Sequence, residues 1–283
     1  MEDKRAQGAG IPRPHVSHTL DASHALVTSP VLHPIALAVL RLTLATYALF
    51  VGLYQLIEEA VKEHDAGTFF SYFTHLSYIG LIAYMYAAGV QTLCYALNRR
   101  KGYPLQQWPR VLQHLHILLY STITTYPMVV TVIFWALLSD SDTFSTTLNA
   151  WFNISEHAMN TGYALFEILL TNAGPSPWWH LPACVAMLAC YLGVAYITHA
   201  TQGFYTYSFL DPGKEHAKLA GYIVAVGVAE CVAFVLARGL TWIRMRLSRR
   251  MSYASSSDTE VEPAIDEDWQ EIGRPGSSVG YAV

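Results

Sequence analysis

Apolar stretches recur along this chain at the length a bilayer demands. A helix rises about 1.5 Å per residue, so a hydrocarbon core of about 30 Å takes about 20 mostly apolar residues. Stretches of that kind run from Ile35 to Ile57, Phe69 to Leu97, Arg110 to Asp140, Trp151 to Leu170, Trp178 to Gly203 and Leu219 to Ile243. The hinge Gly174-Pro175-Ser176-Pro177 separates the fourth from the fifth, because proline stops a helix. The short alternating segments of a membrane β-barrel are missing, and lipid forces each spanning segment to satisfy its own backbone. The pattern predicts an all-α, polytopic membrane protein: a bundle of six transmembrane helices within residues 34–248. A polar segment, 1–33, precedes it, and an acidic tail, 249–283, follows that is too polar to bury a core and is expected to be disordered.

Composition agrees with that pattern. Hydrophobic residues make up 53% of the chain and charged residues 13%, about half the ~25% charged share of a soluble domain. Cys94, Cys184, Cys190 and Cys231 all lie inside apolar runs, which argues for small packed hydrophobes rather than a secreted disulfide framework. No short apolar core follows Lys4 and Arg5, so a cleavable signal peptide is not expected. The net charge of −4 conceals an asymmetry, since residues 251–283 hold seven acids against Arg274 alone. Without a concentrated basic face, nucleic-acid binding has no support.

Lysine and arginine placement sets the expected orientation. Lys4, Arg5, Arg13, Arg99, Arg100, Lys101, Arg110, Arg244, Arg246, Arg249 and Arg250 fall on one side of six spans, and only Lys62, Lys214 and Lys218 on the other. Both termini are therefore expected in the cytoplasm. The expected location is the endoplasmic reticulum or the plasma membrane.

Ionisable side chains inside a span are costly, and each is a functional hypothesis. They are Arg41, His75, His114, His116, His157, Glu167, His199 and Glu230, with Arg238 near an end. Depth singles out a group. Counted from the outer ends of their spans, Thr74 lies roughly 7–8 Å deep, His157 roughly 9 Å and His199 roughly 6 Å. Three helices thus bring a hydroxyl and two imidazoles into one layer of the outer leaflet. A hydroxyl becomes a nucleophile when an imidazole takes its proton, and a further polar group can steady the oxyanion. Asn153-Ile154-Ser155 also has the form of a glycosylation acceptor, discounted because it opens a membrane helix.

The same stretches resemble the androgen-induced transmembrane threonine hydrolases, which cleave fatty acid esters of hydroxy fatty acids. The likeness covers roughly Val39 to Leu210. Val39-Leu40-Arg41 resembles the Arg-bearing start of that family's first span, and Phe73-Thr74 its catalytic Thr. Trp151-Phe152-Asn153-Ile154-Ser155-Glu156-His157 is similar to the family's Trp-Leu-Asn-His-Gly-x-His, with Asn153 and the catalytic His157 in place. Glu167 matches an acidic residue beyond that His. His199 and Tyr207-Ser208-Phe209-Leu210-Asp211 are similar to a His followed by Tyr-Pro-Phe-Leu-Glu. Ile154, Ser155 and Ser208 depart from the pattern. The resemblance implies a membrane-embedded ester hydrolase with Thr74 and His157 catalytic, His199 and Asn153 holding substrate, no metal and no cofactor. Its substrate would be a lipid ester lying in the bilayer. Two rivals remain open at this point: a non-catalytic lipid receptor or transporter, and a haem protein ligated by His157 and His199.

Overall fold

The computed structural model describes residues 20–63 and 66–257. Contacts divide the chain into two units, Met1–Arg246 and Leu247–Val283. In chain order the helices are α1 (Pro34–Glu58), α2 (Ala66–Phe69), α3 (Phe73–Leu97), α4 (Arg110–Ile133), α5 (Thr147–His157), α6 (Met159–Leu170), α7 (His180–Gln202), α8 (Pro212–Glu215) and α9 (Lys218–Ser257). A π turn extends α1 over Glu59–Glu63, and another extends α4 over Phe134–Leu138. Among the described residues there is no strand.

Five of these segments are long and apolar enough to cross a membrane: Pro34–Lys62, Phe73–Leu97, Arg110–Leu138, His180–Gln202 and Lys218–Arg250. The chain is thus an all-helical membrane protein. The stretch expected as a fourth span differs. It is divided at Ala158, whose φ of −118° and ψ of −54° depart from helical values, into α5 and α6. Helix α9, which contains the stretch expected as the sixth span, Leu219 to Ile243, runs on to Ser257. The expected disorder of the tail beyond 257, and the part of the N-terminal segment before 20, lie outside the described residues.

Helices α1 and α3 form the tightest pair. Ala38, Arg41, Ala45 and Ala48 are fully buried along one stripe of α1, the three-and-four spacing that keeps one face of a helix on its neighbour. Small residues there let two backbones approach, as membrane interfaces favour. Opposite them, a Cβ on Gly89 of α3 would stand 2.8 Å from Leu42 Cδ2, so only glycine fits without displacement. Tyr78, Leu81, Met85 and Ala88 of α3 complete this core together with Tyr120, Ile123 and Tyr163.

At the end of the bundle where α1 begins, residues 20–33 fold back on the α3–α4 connection. Asp21 accepts from the Ala25 and Leu26 amides at 2.7 and 2.9 Å and from the Tyr103 hydroxyl at 2.7 Å. Burial, with the Asp21 carboxylate beside it, pushes the Tyr103 phenol above its ordinary range. Asn172, just past α6, donates its backbone N–H to Thr28 O at 2.9 Å, so α6 terminates at this same end. α5 starts at the opposite end, where the Asn153 side chain holds the turn at Thr143 (Nδ2 to O, 3.1 Å). Helices α7 and α9 form the outer wall. Only 17% of the most apolar window of each is buried, against 61% for α4, leaving Val194, Ile197, Val224, Val228, Val232 and Leu236 exposed as a lipid-facing surface does.

Candidate functional site

The far end of the bundle holds a cavity of about 190 Å³ between α3, α4, α7 and α9. Its wall is apolar: Val129, Val130, Ile133 and Phe134 from α4 and its π turn, Val185, Leu188 and Leu192 from α7, and Ile223 and Val226 from α9. Three hydroxyl-bearing residues, Thr74, Tyr191 and Tyr207, also line it. A second groove, lined by Leu76, Leu115, Leu119, Met187 and Val194, lies beyond Phe73, which borders both.

Thr74 stands in the first turn of α3, and its position matters chemically. Helical threonines usually bond a carbonyl one turn back. Thr92, Thr124, Thr125, Thr171, Thr201 and Thr241 all do so here. Thr74 has no helical turn behind it, and among the described residues its hydroxyl makes no such bond. Instead the phenol of Tyr207 caps the helix, accepting from Phe73 N at 3.1 Å, with the Thr74 hydroxyl beside it. Burial pushes the Tyr207 phenol well above its usual range, so it stays a neutral donor. Tyr191 is tied down through its hydroxyl, which donates to Ser71 O at 2.9 Å.

His157, the last residue of α5, stacks face to face on Phe134 with ring centroids 3.6 Å apart. Its Nδ1 faces Asn153 O at 3.2 Å. A carbonyl can only accept, so Nδ1 carries the proton and Nε2 keeps the lone pair. The imidazole is thus the tautomer a general base needs. Phe134 belongs to the cavity wall and His157 does not. Among the described residues no hydrogen bond joins the Thr74 hydroxyl to the His157 ring. Asn153 serves that imidazole through its backbone, its side chain being engaged with Thr143.

His199 stands apart from the cavity wall, in the last turn of α7. Its ring stacks on Tyr205 at 3.8 Å, and its buried Nδ1 has no hydrogen-bond partner among the described residues. The structure therefore lines one cavity with Thr74, Tyr191 and Tyr207, stacks His157 on Phe134 of the same wall, and leaves His199 off it.

A further polar group adjoins Thr74 and His157 in the sequence, built on His75 and Glu156. His75 turns away from Thr74 toward α1 and α5, where its Nδ1 donates to Phe69 O at 2.7 Å and its Nε2 faces Glu156 Oε2 at 3.3 Å. Gln55 Nε2 approaches the same ring nitrogen at 3.1 Å. The available signal was a His next to the nucleophile candidate and a Glu next to the base candidate. Nothing in the sequence pairs them.

Deeper in the bundle, Arg41 and Glu167 form a fully buried, two-pronged ion pair, Nε to Oε1 at 2.8 Å and Nη2 to Oε2 at 2.6 Å. Thr92 and the Leu26 carbonyl take further Arg41 donors. Among the described residues, no cluster of three His, Cys, Asp or Glu could hold a metal ion.

No family model, curated protein or solved structure matches this chain.

Proposed function

We propose that the protein is a membrane-embedded ester hydrolase acting on fatty acid esters of hydroxy fatty acids, with Thr74 as nucleophile and His157 as base. The observation that carries it is a threonine whose hydroxyl is unclaimed by its own helix and which lines an acyl-chain-like cavity beside Tyr207. One chain of the ester lies along the aliphatic wall, which brings the carbonyl to the α3 end. Thr74 Oγ1 attacks the carbonyl carbon and its proton passes to His157 Nε2. The Tyr207 phenol donates to the oxyanion. The tetrahedral adduct collapses as His157 returns that proton to the departing alkoxide, and the hydroxy fatty acid leaves. Water, deprotonated by the same imidazole, then releases the acid from acyl-Thr74. To act as base His157 leaves its stack on Phe134, while the Asn153 carbonyl on Nδ1 holds the tautomer.

The same proposal places the molecule in its membrane. The bundle crosses six times, α5 and α6 together forming the fourth crossing, with both termini in the cytoplasm. The cavity then lies in the luminal or extracellular leaflet of an endoplasmic reticulum or plasma membrane. Both orientation and crossings rest on the Lys and Arg asymmetry and on the Asn172–Thr28 bond.

One observation favours a second reading. With His157 stacked on Phe134 and not bonded to Thr74, the cavity can serve as a lipid-binding site without chemistry. Hydrolysis of a purified fatty acid ester of a hydroxy fatty acid by detergent-solubilised protein decides between them. Thr74→Ala and His157→Ala should each lower turnover by about 10²-fold or more. Full hydrolysis by Thr74→Ala overturns the nucleophile assignment, and ester binding by the wild type without product supports the second reading.

A further inference from the structure

The groove beyond Phe73 differs from the cavity in exposure and in chemistry. It encloses about 420 Å³ between α3, α4 and α7. Along α4 its lining runs from Leu115 to Tyr126, roughly 16 Å at the helical rise. Leu76, Leu115, Met187 and Val194 of that lining are exposed, so the groove opens sideways on the bilayer. None of the large apolar residues around the cavity is exposed. The hydroxyls of the groove are already engaged. Ser77 donates to Thr74 O at 2.9 Å, Thr122 to Leu119 O at 2.8 Å, Tyr126 to Cys184 O at 2.9 Å and Tyr191 to Ser71 O at 2.9 Å. With those protons spent, a polar occupant would lose its hydrogen bonds to water and gain none from these groups. The groove suits hydrocarbon.

Phe73 and Tyr191 line both spaces, and Thr74 directly follows Phe73 in the chain. The Phe73 ring meets Tyr126 edge-on at 5.1 Å and lies tilted against Tyr191 at 5.0 Å. We propose that the groove seats the hydrocarbon tail of the hydroxy fatty acid while the acyl chain of the same ester fills the cavity, the two parting at Phe73. This rests on the hydrolase reading and narrows its substrate to esters with a long chain on each side of the bond that is cut. An ester carbonyl at Thr74 has its acyl chain on the carbon side and its alcohol on the oxygen side, so each chain has one of the two spaces that meet there. The closed cavity keeps the acyl chain while it is bonded to Thr74. The open groove lets the released hydroxy acid return to the bilayer. Gly80 of α3 also lines the groove and not the cavity. A Cβ there would meet only Leu119 Cδ1, at 3.8 Å, so a larger side chain has room to fill the groove, and replacing a mid-helix glycine favours the helix.

Photo-crosslinking of the detergent-solubilised full-length protein tests this with ether analogues of the ester, in which a methylene replaces the carbonyl so that they bind without being cut. One analogue carries a diazirine on the acyl-side chain and the other on the tail of the hydroxy acid, and mass spectrometry locates the label. The first should mark α4 at residues 129–134 and the second at residues 115–122. Both labels on the same stretch overturn the groove as a second chain site, whatever the protein hydrolyses. Separate labels support it even where the matching esters are not cleaved, in which case the nucleophile assignment alone falls. Gly80→Leu should weaken the two-chain ether about 10-fold relative to an ether of one long chain and an ethyl group, the worth of roughly two methylene contacts. An unchanged ratio of the two affinities in Gly80→Leu overturns the groove site as well.

Discussion

Arg41 and Glu167 show how an intramembrane charge is tolerated. They lie 126 residues apart in sequence, and each is wholly removed from solvent. Their attraction offsets the loss of hydration only because the geometry is two-pronged and Thr92 and Leu26 O satisfy the remaining donors. Removing one partner leaves the other buried and uncompensated. Glu167→Ala or Arg41→Ala should therefore cost about 3–5 kcal/mol, measured as a lower unfolding temperature in detergent. Replacing both partners at once with apolar side chains, Arg41→Met together with Glu167→Leu, should recover most of the loss. As single residues both were conspicuous in the sequence, since arginine and glutamate are rare in spans. Their pairing was not, because depth in the bilayer carries no lateral information. The same limit explains the site. Depth placed Thr74, His157 and His199 in one layer, while side-chain direction set them against Tyr207, Phe134 and Tyr205 respectively.

Hydropathy marks the long helices closely. The stretch Phe69 to Leu97 contains α3 at Phe73–Leu97, and Trp178 to Gly203 contains α7 at His180–Gln202. It missed three backbone features because they are local: the division at Ala158 and the π turns after α1 and α4. Alanine is the best helix former, so nothing in residue type announces Ala158. The π turn at Phe134–Leu138 bears on the site, since it carries the ring that stacks on His157, and such turns concentrate at functional positions. Close packing of α1 on α3 gives an element-scale prediction. Gly89→Val would drive its side chain into Leu42 and the Arg41 Cβ, 3.3 Å away. Overpacking of that kind should cost about 1–3 kcal/mol. The measurement is again thermal unfolding, and a Leu42→Ala companion should restore part of the loss by making room.

At the scale of the whole molecule, the division at Ala158 raises a question of topology with a sharp answer. If α5 and α6 together cross the bilayer, the loop after α4 and the loop after α7 share one side, because two crossings separate them. If the pair merely dips in and returns, a single crossing, α7, separates the two loops and they face opposite compartments. The hydrogen bonds argue for a crossing: Asn153 is fixed to Thr143 beside the end of α4, and Asn172 is fixed to Thr28 before the start of α1. Asp142, Lys214 and Lys101 are all exposed and suit labelling. In a variant with the four native cysteines replaced by alanine, Asp142→Cys and Lys214→Cys should react with an impermeant maleimide from the same face of a sealed cell or vesicle. Lys101→Cys should react only after the membrane is opened. Reaction of Asp142→Cys and Lys214→Cys from opposite faces would reduce the count to five crossings and place the termini on different sides. The cavity would still open beside Thr74 at one end, but the charge asymmetry would no longer say which leaflet its lipid comes from.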